Sequence, residues 1–539
     1  MKGIAVAPEP LAAKAAEEVY REGGNAVDVA VAVSFAQGVV DPLMCGLGGT
    51  ALMYLRLADG RALVIDGSTT IGSVPPPESW RTGYVGRSET VGRYIIKGEL
   101  NSLGYASVGI PGFVRTAWDA YRKYGSGKVS WGRLLEPAIK FAEEGFQIYP
   151  YLTKWFTPEM DAPKPGYPST MSKLTCTPDA ARIYLKEGRR YRDGELLVQA
   201  DMGRTLRRIA EEGADVFYEG GIGKAIAEDF KAHGGLFTYE DLVNWQPLYQ
   251  DVAAGTYRGY GISTARPPAT GVQVVEMLNI LEHFDIASMD RLSPAYVDLL
   301  AKIMRIGFYD NVHLKNDPPY SVGYDMVRRY LSKEHAKVRA EKIKKGQAAP
   351  GPLPTKPTDT GTTHVTTVDG DGNVVSFTHS LGTAFGSGVV TPGLGFFFNN
   401  FMGHFNPLPG AWDSIVPHKK GGGGCPLLLL KDGKPFFVIG SPGGSRLISS
   451  ILLSIINIVD HGMDAQTAVS VPRFHCEEED LLFVEPTYPQ GVVKELETMG
   501  WKVTPSNYMA RMQAVLIGKD GKLYAGADPR GGQGVGSVR

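Results

Sequence analysis

Cysteine is scarce in this chain. Cys45, Cys176, Cys425 and Cys476 are the 4 among 539 residues, and they stand far apart. Such spacing offers neither a short metal-ligand pattern nor a disulfide framework. Charge of one sign is missing too. With 56 Lys and Arg against 57 Asp and Glu, the formal net charge is -1, so composition supplies no field for nucleic acid or an anionic membrane surface. No apolar run reaches membrane length, and Met1-Lys2-Gly3-Ile4-Ala5 leads to Pro8 and Pro10 without the apolar core of a secretory signal. The expectation is a cytoplasmic protein with no nucleic-acid or membrane partner. No internal repeat is evident.

What the chain does contain is 43% hydrophobic and 21% charged residues, with 67 glycines and 36 prolines. That describes a globular chain with a large core and many turns. Helical spacing predicts helices over 11–23, 113–124, 131–144, 205–214 and 222–233, several closed by glycine pairs. Val27 to Val40 fits a buried helix or an adjoining strand. Gly46-Leu47-Gly48-Gly49 lacks phosphate-loop spacing and is expected to serve close packing ahead of an apolar strand at 51–55. Ser107 to Gly112 is expected to pass from strand to turn, and 150–178 to form a proline-bearing surface stretch. His313 near Asp310 does not make a metal site by spacing alone. The basic run 333–345, interrupted by Glu334 and Glu341, suits a solvated helix or the flank of a processing linker.

Residues 359–382 carry the densest chemical signal. Thr363–Val368 and Val374–Ser380 are rich in β-branched residues, with Asp369-Gly370-Asp371-Gly372-Asn373 suited to a tight reversal between them. Centring the reversal on Asp371 places Thr362 near Ser380. Cleavage before Thr362 would free an α-amine beside its own hydroxyl, giving nucleophile and base in one residue. The alternative is an ordinary exposed hairpin whose threonines serve strand propensity. Upstream, Ala349-Pro350-Gly351-Pro352-Leu353-Pro354 disfavours a regular element and suits an exposed connection. Downstream, Phe436–Ile439, then Gly440-Ser441-Pro442-Gly443-Gly444-Ser445-Arg446, then an apolar segment to Val459 read as strand, glycine turn and helix. Successive N–H groups in such a turn can face one atom, making Gly443 and Gly444 candidate oxyanion stabilisers. A purely structural turn is the competing reading.

Taken together, these residues resemble the gamma-glutamyltranspeptidase family of N-terminal-nucleophile hydrolases. The resemblance spans about residues 3–530. Its strongest markers are Thr362-Thr363-His364, Asp371-Gly372-Asn373-Val374, Asn399-Asn400 and Ser441-Pro442-Gly443-Gly444-Ser445-Arg446, with Pro472-Arg473-Phe474-His475 and Gly526-Ala527-Asp528-Pro529-Arg530 beyond them. It implies an α/β fold, a four-layer αββα sandwich, and autoproteolysis between Gly361 and Thr362. Residues 1–361 would become a large subunit and 362–539 a small catalytic subunit, both contributing to one composite fold. Thr362 would be nucleophile and, through its new α-amine, base. Thr363 would support the site, Ser380 would match a second hydroxyl position, and Gly443 and Gly444 the oxyanion stabilisers. No metal or organic cofactor is required. The implied partners are a small amide substrate, water and, for transfer, an amine acceptor. The mature form would be a large/small subunit heterodimer, with further assembly left open.

The substrate-binding positions depart from the family pattern. Ser68 stands where glutamyl-binding members have arginine, and it cannot make a bidentate contact to a carboxylate. Gly382 replaces asparagine, Phe401 and His404 replace glutamine and aspartate, and Gly422 and Gly423 fall where two serines are usual. The expectation is an autoprocessed threonine amidohydrolase with altered acyl specificity. The alternatives are a glutathione hydrolase or gamma-glutamyltranspeptidase, and a non-enzymatic binding protein built on the same frame.

Overall fold

The computed structural model describes residues 2–88, 92–154, 162, 164–315, 324–347, 361–411, 413–421, 423–478 and 480–538. The proline-rich connection at 349–354 lies outside them, as do Gly422 and the side chain of His313. Among the described residues no helix is long and apolar enough to cross a membrane.

Two antiparallel sheets stack face to face. The first runs, strand by strand, Leu248–Asp251, Ala62–Gly67, Thr50–Arg56, Val374–Gly382, Gly361–Asp369, Gly3–Ala7 and Gly534–Val538. The second runs Ala253–Tyr257, Tyr260–Thr264, Leu427–Lys431, Lys434–Gly440, Gln513–Ile517 and Leu523–Ala527. Alternation along the strands decides what lies between them. Ile4, Val6, Leu52, Tyr54, Val64 and Val368 of the first sheet meet Leu428, Val438 and Val515 of the second in one buried layer. The opposite faces carry helices. Ala26–Val40 and Phe113–Tyr124 pack on the first sheet, with Trp131–Glu143 behind them on Ala26–Val40, while Gly271–Leu281 and Arg446–Val459 pack on the second, with Pro294–Lys315 behind them on Gly271–Leu281. The result is the expected αββα sandwich.

The alternatives at 27–40 resolve as helix. Every residue of Ala26–Val40 is buried, and Asn25 caps it by accepting from the Val27 and Asp28 amides while Asp28 answers at the Asn25 amide, 3.0 Å away. A helix apolar all round belongs inside, so packing outweighs the strand preference of its valines.

Three expectations need correction. Segment 107–112 forms no strand beyond the isolated bridge of Ile110 to Thr70. The stretch 150–178 is not a surface stretch in its described part: Tyr151, Leu152, Thr170, Lys173 and Leu174 are buried. The helix Lys333–Lys344 is solvated on one face only. His335 and Arg339 turn inward: His335 Nε2 lies 2.9 Å from Glu276 and 3.4 Å from Asp310, and Arg339 pairs with Asp310, so polar side chains of three helices meet there.

Candidate active site

The hairpin is not exposed; it forms the middle of the first sheet. Thr362 pairs with Ser380 and Thr363 with His379, the register that centring on Asp371 predicts. A register shift between Gly361 and Thr362 places Gly361 opposite Gly382. Asp369 holds the reversal by accepting from the Asp371 and Asn373 amides at 3.0 and 2.9 Å.

At the head of this strand three groups converge. Ser380 donates its hydroxyl proton to the Gly361 carbonyl oxygen. With that proton committed, Ser380 Oγ accepts from the Thr362 hydroxyl at 3.0 Å and from the Gly382 amide at 2.9 Å. The hydroxyl of Thr362 therefore has an acceptor for its proton beside it, and the carbonyl preceding it has a donor. That is the arrangement needed for attack of Oγ on the Gly361 carbonyl carbon.

Behind Thr362 lies a buried polar network. Thr363 Oγ1 donates to Glu9 Oε1 at 2.6 Å, and Gln37 Nε2 spans Glu9 Oε2, Thr363 Oγ1 and the His364 carbonyl at 2.6, 3.0 and 3.2 Å. Gln37 Oε1 faces His379 Nε2 at 3.0 Å. Asp41, also fully buried, is pushed well above the usual carboxylate range by burial and then by the negative field of Glu9, with neither oxygen in a well-formed hydrogen bond. Arg511 Nη2 donates to the Thr362 carbonyl at 2.9 Å, and its Nη1 to Tyr151. Glu9, Gln37, Asp41, Tyr151 and Arg511 were not singled out from sequence. No local motif marks them, because they meet Thr362 only through the sheet and the helix behind it.

The glycine turn folds as strand Lys434–Gly440, turn and helix Arg446–Val459. Gly443 and Gly444 have φ of 144° and 57°, which a side chain would resist. Gly443 packs against Ala510, next to the arginine that holds the Thr362 carbonyl, and Pro442 O accepts from the Arg511 amide at 3.3 Å. Among the described residues, neither the Gly443 nor the Gly444 amide donates to a protein acceptor. The turn thus leaves two N–H groups without a protein acceptor, at a glycine that packs against the neighbour of Arg511.

The substrate-binding candidates divide. Gly382, Phe401 and His404 come together: a methyl group built on Gly382 would stand 3.6 Å from the Phe401 ring, which stacks on His404 with centroids 5.2 Å apart. Ser68 is buried one residue before Thr69, which pairs with Gly421, and Gly423 is exposed beyond that pairing. Asn399 and Asn400 act as ties. Asn399 Nδ2 donates to the Gly48 and Gly109 carbonyls at 2.9 and 2.8 Å, and Asn400 Nδ2 to Ser102 O and Thr383 Oγ1 at 2.9 and 2.8 Å. Sequence also missed Arg93. Its guanidinium is fully buried, donates to Asn400 O at 2.9 Å and lies 3.2 Å from His404 Nε2.

A double-sheet sandwich with a threonine hydroxyl at the head of a central strand, beside a donor to the preceding carbonyl, defines the N-terminal-nucleophile hydrolase class. Comparison with known proteins narrows it. The chain belongs to the gamma-glutamyltranspeptidase family, whose profile matches residues 12–538. It is 35% identical over 531 residues to the acylase ACY 1 proenzyme of Pseudomonas sp. (strain SE83), covering 98% of this chain and 92% of that one. It is 32% identical over 548 residues to the glutathione hydrolase proenzyme of Escherichia coli (strain K12), covering 98% and 90%. Among solved structures, the cephalosporin acylase of Bacillus halodurans superposes with a TM-score of 0.86 at 27% identity, covering 100% of this chain and 96% of that one. The protein is thus an enzyme, an amide hydrolase of the N-terminal-nucleophile type with gamma-glutamyltransferase-like chemistry.

Proposed function

We propose that the chain cleaves itself between Gly361 and Thr362 and that the new N-terminal Thr362 hydrolyses small amides through an acyl-enzyme. The hydrogen-bond triangle of Thr362, Ser380 and Gly361 carries this reading. In the uncleaved chain, Thr362 Oγ attacks the Gly361 carbonyl carbon as its proton passes to Ser380 Oγ and Ser380 gives its own proton to the carbonyl oxygen. As the carbonyl re-forms, that proton goes to the Thr362 nitrogen and the C–N bond breaks, leaving Gly361 as an ester on Thr362 and a free α-amine. Water then releases residues 1–361 as the large subunit, and 362–539 remain as the small one.

In the mature enzyme the α-amine takes the proton from Oγ as it attacks the substrate carbonyl, and gives it to the leaving amine. Gly443 and Gly444 supply N–H donors to the oxyanion. Thr363 keeps the strand in place through Glu9 rather than touching substrate. Water resolves the ester. Hydrolysis prevails over transfer to an amine, and the acyl preference differs from gamma-glutamyl, because Ser68 offers no cation and Gly382, Phe401 and His404 reshape the pocket.

Intact mass and N-terminal sequencing test the scissile bond, and the expected new terminus is Thr362. Thr362→Ala abolishes both scission and turnover, whereas Thr362→Ser retains part of each. A product-resolved screen of gamma-glutamyl, oxamate-like and longer acyl amides, with and without an amine acceptor, tests specificity. Transfer of gamma-glutamyl groups faster than hydrolysis throughout that screen would overturn the specificity and leave the nucleophile standing.

A further inference from the structure

We propose that Lys173 is a positioning residue for self-cleavage: through Thr383 it fixes a backbone wall against Gly361, and that wall makes glycine the residue required before Thr362. The inference rests on the reading of Thr362 as a self-cleaving nucleophile. Pairing of Thr362 with Ser380 would set Gly361 opposite Leu381. The register shifts at the bond to be cut, however, and Gly361 lies opposite Gly382. Such an irregularity re-aims the backbone beside it. Ser380 takes hold of the Gly361 carbonyl oxygen, and Thr383 confines the rest of the residue.

A methyl group built on Gly361 would stand 2.3, 2.5 and 2.6 Å from the carbonyl carbon, oxygen and Cα of Thr383. These are backbone atoms, so a side chain at 361 would have to move either its own strand or the wall. The wall is tied at every polar group of Thr383. Its amide donates to Asn400 Oδ1 at 3.2 Å, and its carbonyl accepts from the Gly386 amide at 2.7 Å. Its hydroxyl oxygen accepts from Asn400 Nδ2 at 2.8 Å and also from Lys173 Nζ.

Lys173 binds this loop in more than one way. Its Nζ also donates to the Ala384 carbonyl at 2.8 Å and lies 4.9 Å from the centre of the Tyr167 ring. The side chain is wholly buried, where a charge is costly unless its donors are used, and where charge-assisted hydrogen bonds are stronger than neutral ones. The helix that carries it, Thr170–Leu174, touches the same loop: a methyl group built on Gly388 would stand 2.6 Å from the Lys173 carbonyl oxygen. A buried cation thus joins a helix to the turn behind the scissile residue.

The test is a double-mutant cycle on the newly synthesised full chain, with scission followed by intact mass and folding by urea melts of uncleaved protein. Gly361→Ala should slow scission about 10- to 100-fold, the range for an overpacked methyl group. Lys173→Met should slow it at least about tenfold, and Lys173→Arg, which keeps a cation and its donors, should restore part of the rate. In the Lys173→Met background the wall can yield, so the penalty of Gly361→Ala should shrink at least about threefold. A lysine that only stabilises the fold would leave that penalty unchanged. If Lys173→Met does not fold, Thr383→Val, which removes the oxygen that Lys173 holds, takes its place with the same expectation. If Gly361→Ala stops scission in both backgrounds, the rates of the Met and Arg variants decide. Scission at the wild-type rate in folded Lys173→Met, or an unchanged Gly361→Ala penalty, overturns the role of Lys173. Scission of Gly361→Ala at the wild-type rate overturns the glycine requirement. A wild-type chain that never cuts between Gly361 and Thr362 instead refutes the nucleophile reading beneath both.

Discussion

Replacing Ser380 with alanine isolates the step at which the chain would cut itself. The hydroxyl makes one donated bond, to the Gly361 carbonyl oxygen, and accepts two, from Thr362 Oγ1 at 3.0 Å and the Gly382 amide at 2.9 Å. Its donated bond should strengthen as the carbonyl becomes an oxyanion, so its loss falls on the barrier. Deleting one such donor costs about 3–4 kcal/mol, or about 10²- to 10³-fold in rate. The Gly382 amide, left without its acceptor inside the sheet, costs the fold a further ~1–3 kcal/mol. Those two effects are separable. Intact-mass time courses report scission, and a urea melt of the unprocessed variant reports folding. The expected result is a folded Ser380→Ala protein that processes at least about 10²-fold more slowly than wild type. Processing at the wild-type rate in a protein lacking this hydroxyl would refute the role given to the Thr362–Ser380–Gly361 triangle.

Two further predictions concern pH. Asp41 holds its proton in the fold because of burial and then Glu9, while an unfolded aspartate releases it near pH 3.9, so this residue's contribution falls as pH rises above about 4, by up to about 1.4 kcal/mol per pH unit. Asp41→Asn should raise neutral-pH stability and make the slope of stability against pH between 4 and 7 more positive; an unchanged slope in urea melts would sink the assignment. His364 and His379 are held down to about 3 by burial, so they stay neutral when folded and take protons when unfolded below about 6.5. Their share of stability is present above pH 6.5 and is lost as pH falls towards 3, and His379→Gln should flatten that loss, measured as the urea midpoint at pH 7 and pH 4.5.

Local pattern made the hairpin and the glycine turn legible, because both depend on neighbours in sequence. Turn chemistry at Asp369–Asn373 fixes which residue faces Thr362, and the register follows from it. The strand–turn–helix of 434–459 likewise carries its own punctuation. The buried network was not legible. Glu9, Asp41, Tyr151 and Arg511 come from four distant segments, and each looks in sequence like a surface residue. Tyr151 stands in a stretch whose prolines suggested a surface, yet its hydroxyl receives a bond from a buried arginine. Arg93 was hidden in the same way: it precedes strand Tyr94–Ile96 and meets the Asn400 carbonyl, 2.9 Å from its Nη1, only through the fold.

The sheet also explains how a covalent cut can leave the enzyme whole. The hairpin strands Gly361–Asp369 and Val374–Gly382 lie between Thr50–Arg56 on one side and Gly3–Ala7 on the other, and Gly534–Val538 closes the far edge against Gly3–Ala7. In the second sheet Leu427–Lys431 pairs with Tyr260–Thr264. Segments from both sides of Gly361 therefore pair within each sheet and share the apolar layer between the two sheets. The proposed scission would free one α-amine at the head of a strand whose remaining ladder is intact from Thr362 to Val368. The two pieces should separate only where the sheets themselves come apart, since their interface is the core rather than a surface contact. That permanence suits the proposed chemistry. On that reading the nucleophile would be exposed by breaking its own backbone, while Ser380, Arg511 and the Gly443–Gly444 turn would stay where the fold first placed them. Thr362, at the start of a central strand flanked by Val374–Gly382 and Gly3–Ala7, would meet both demands.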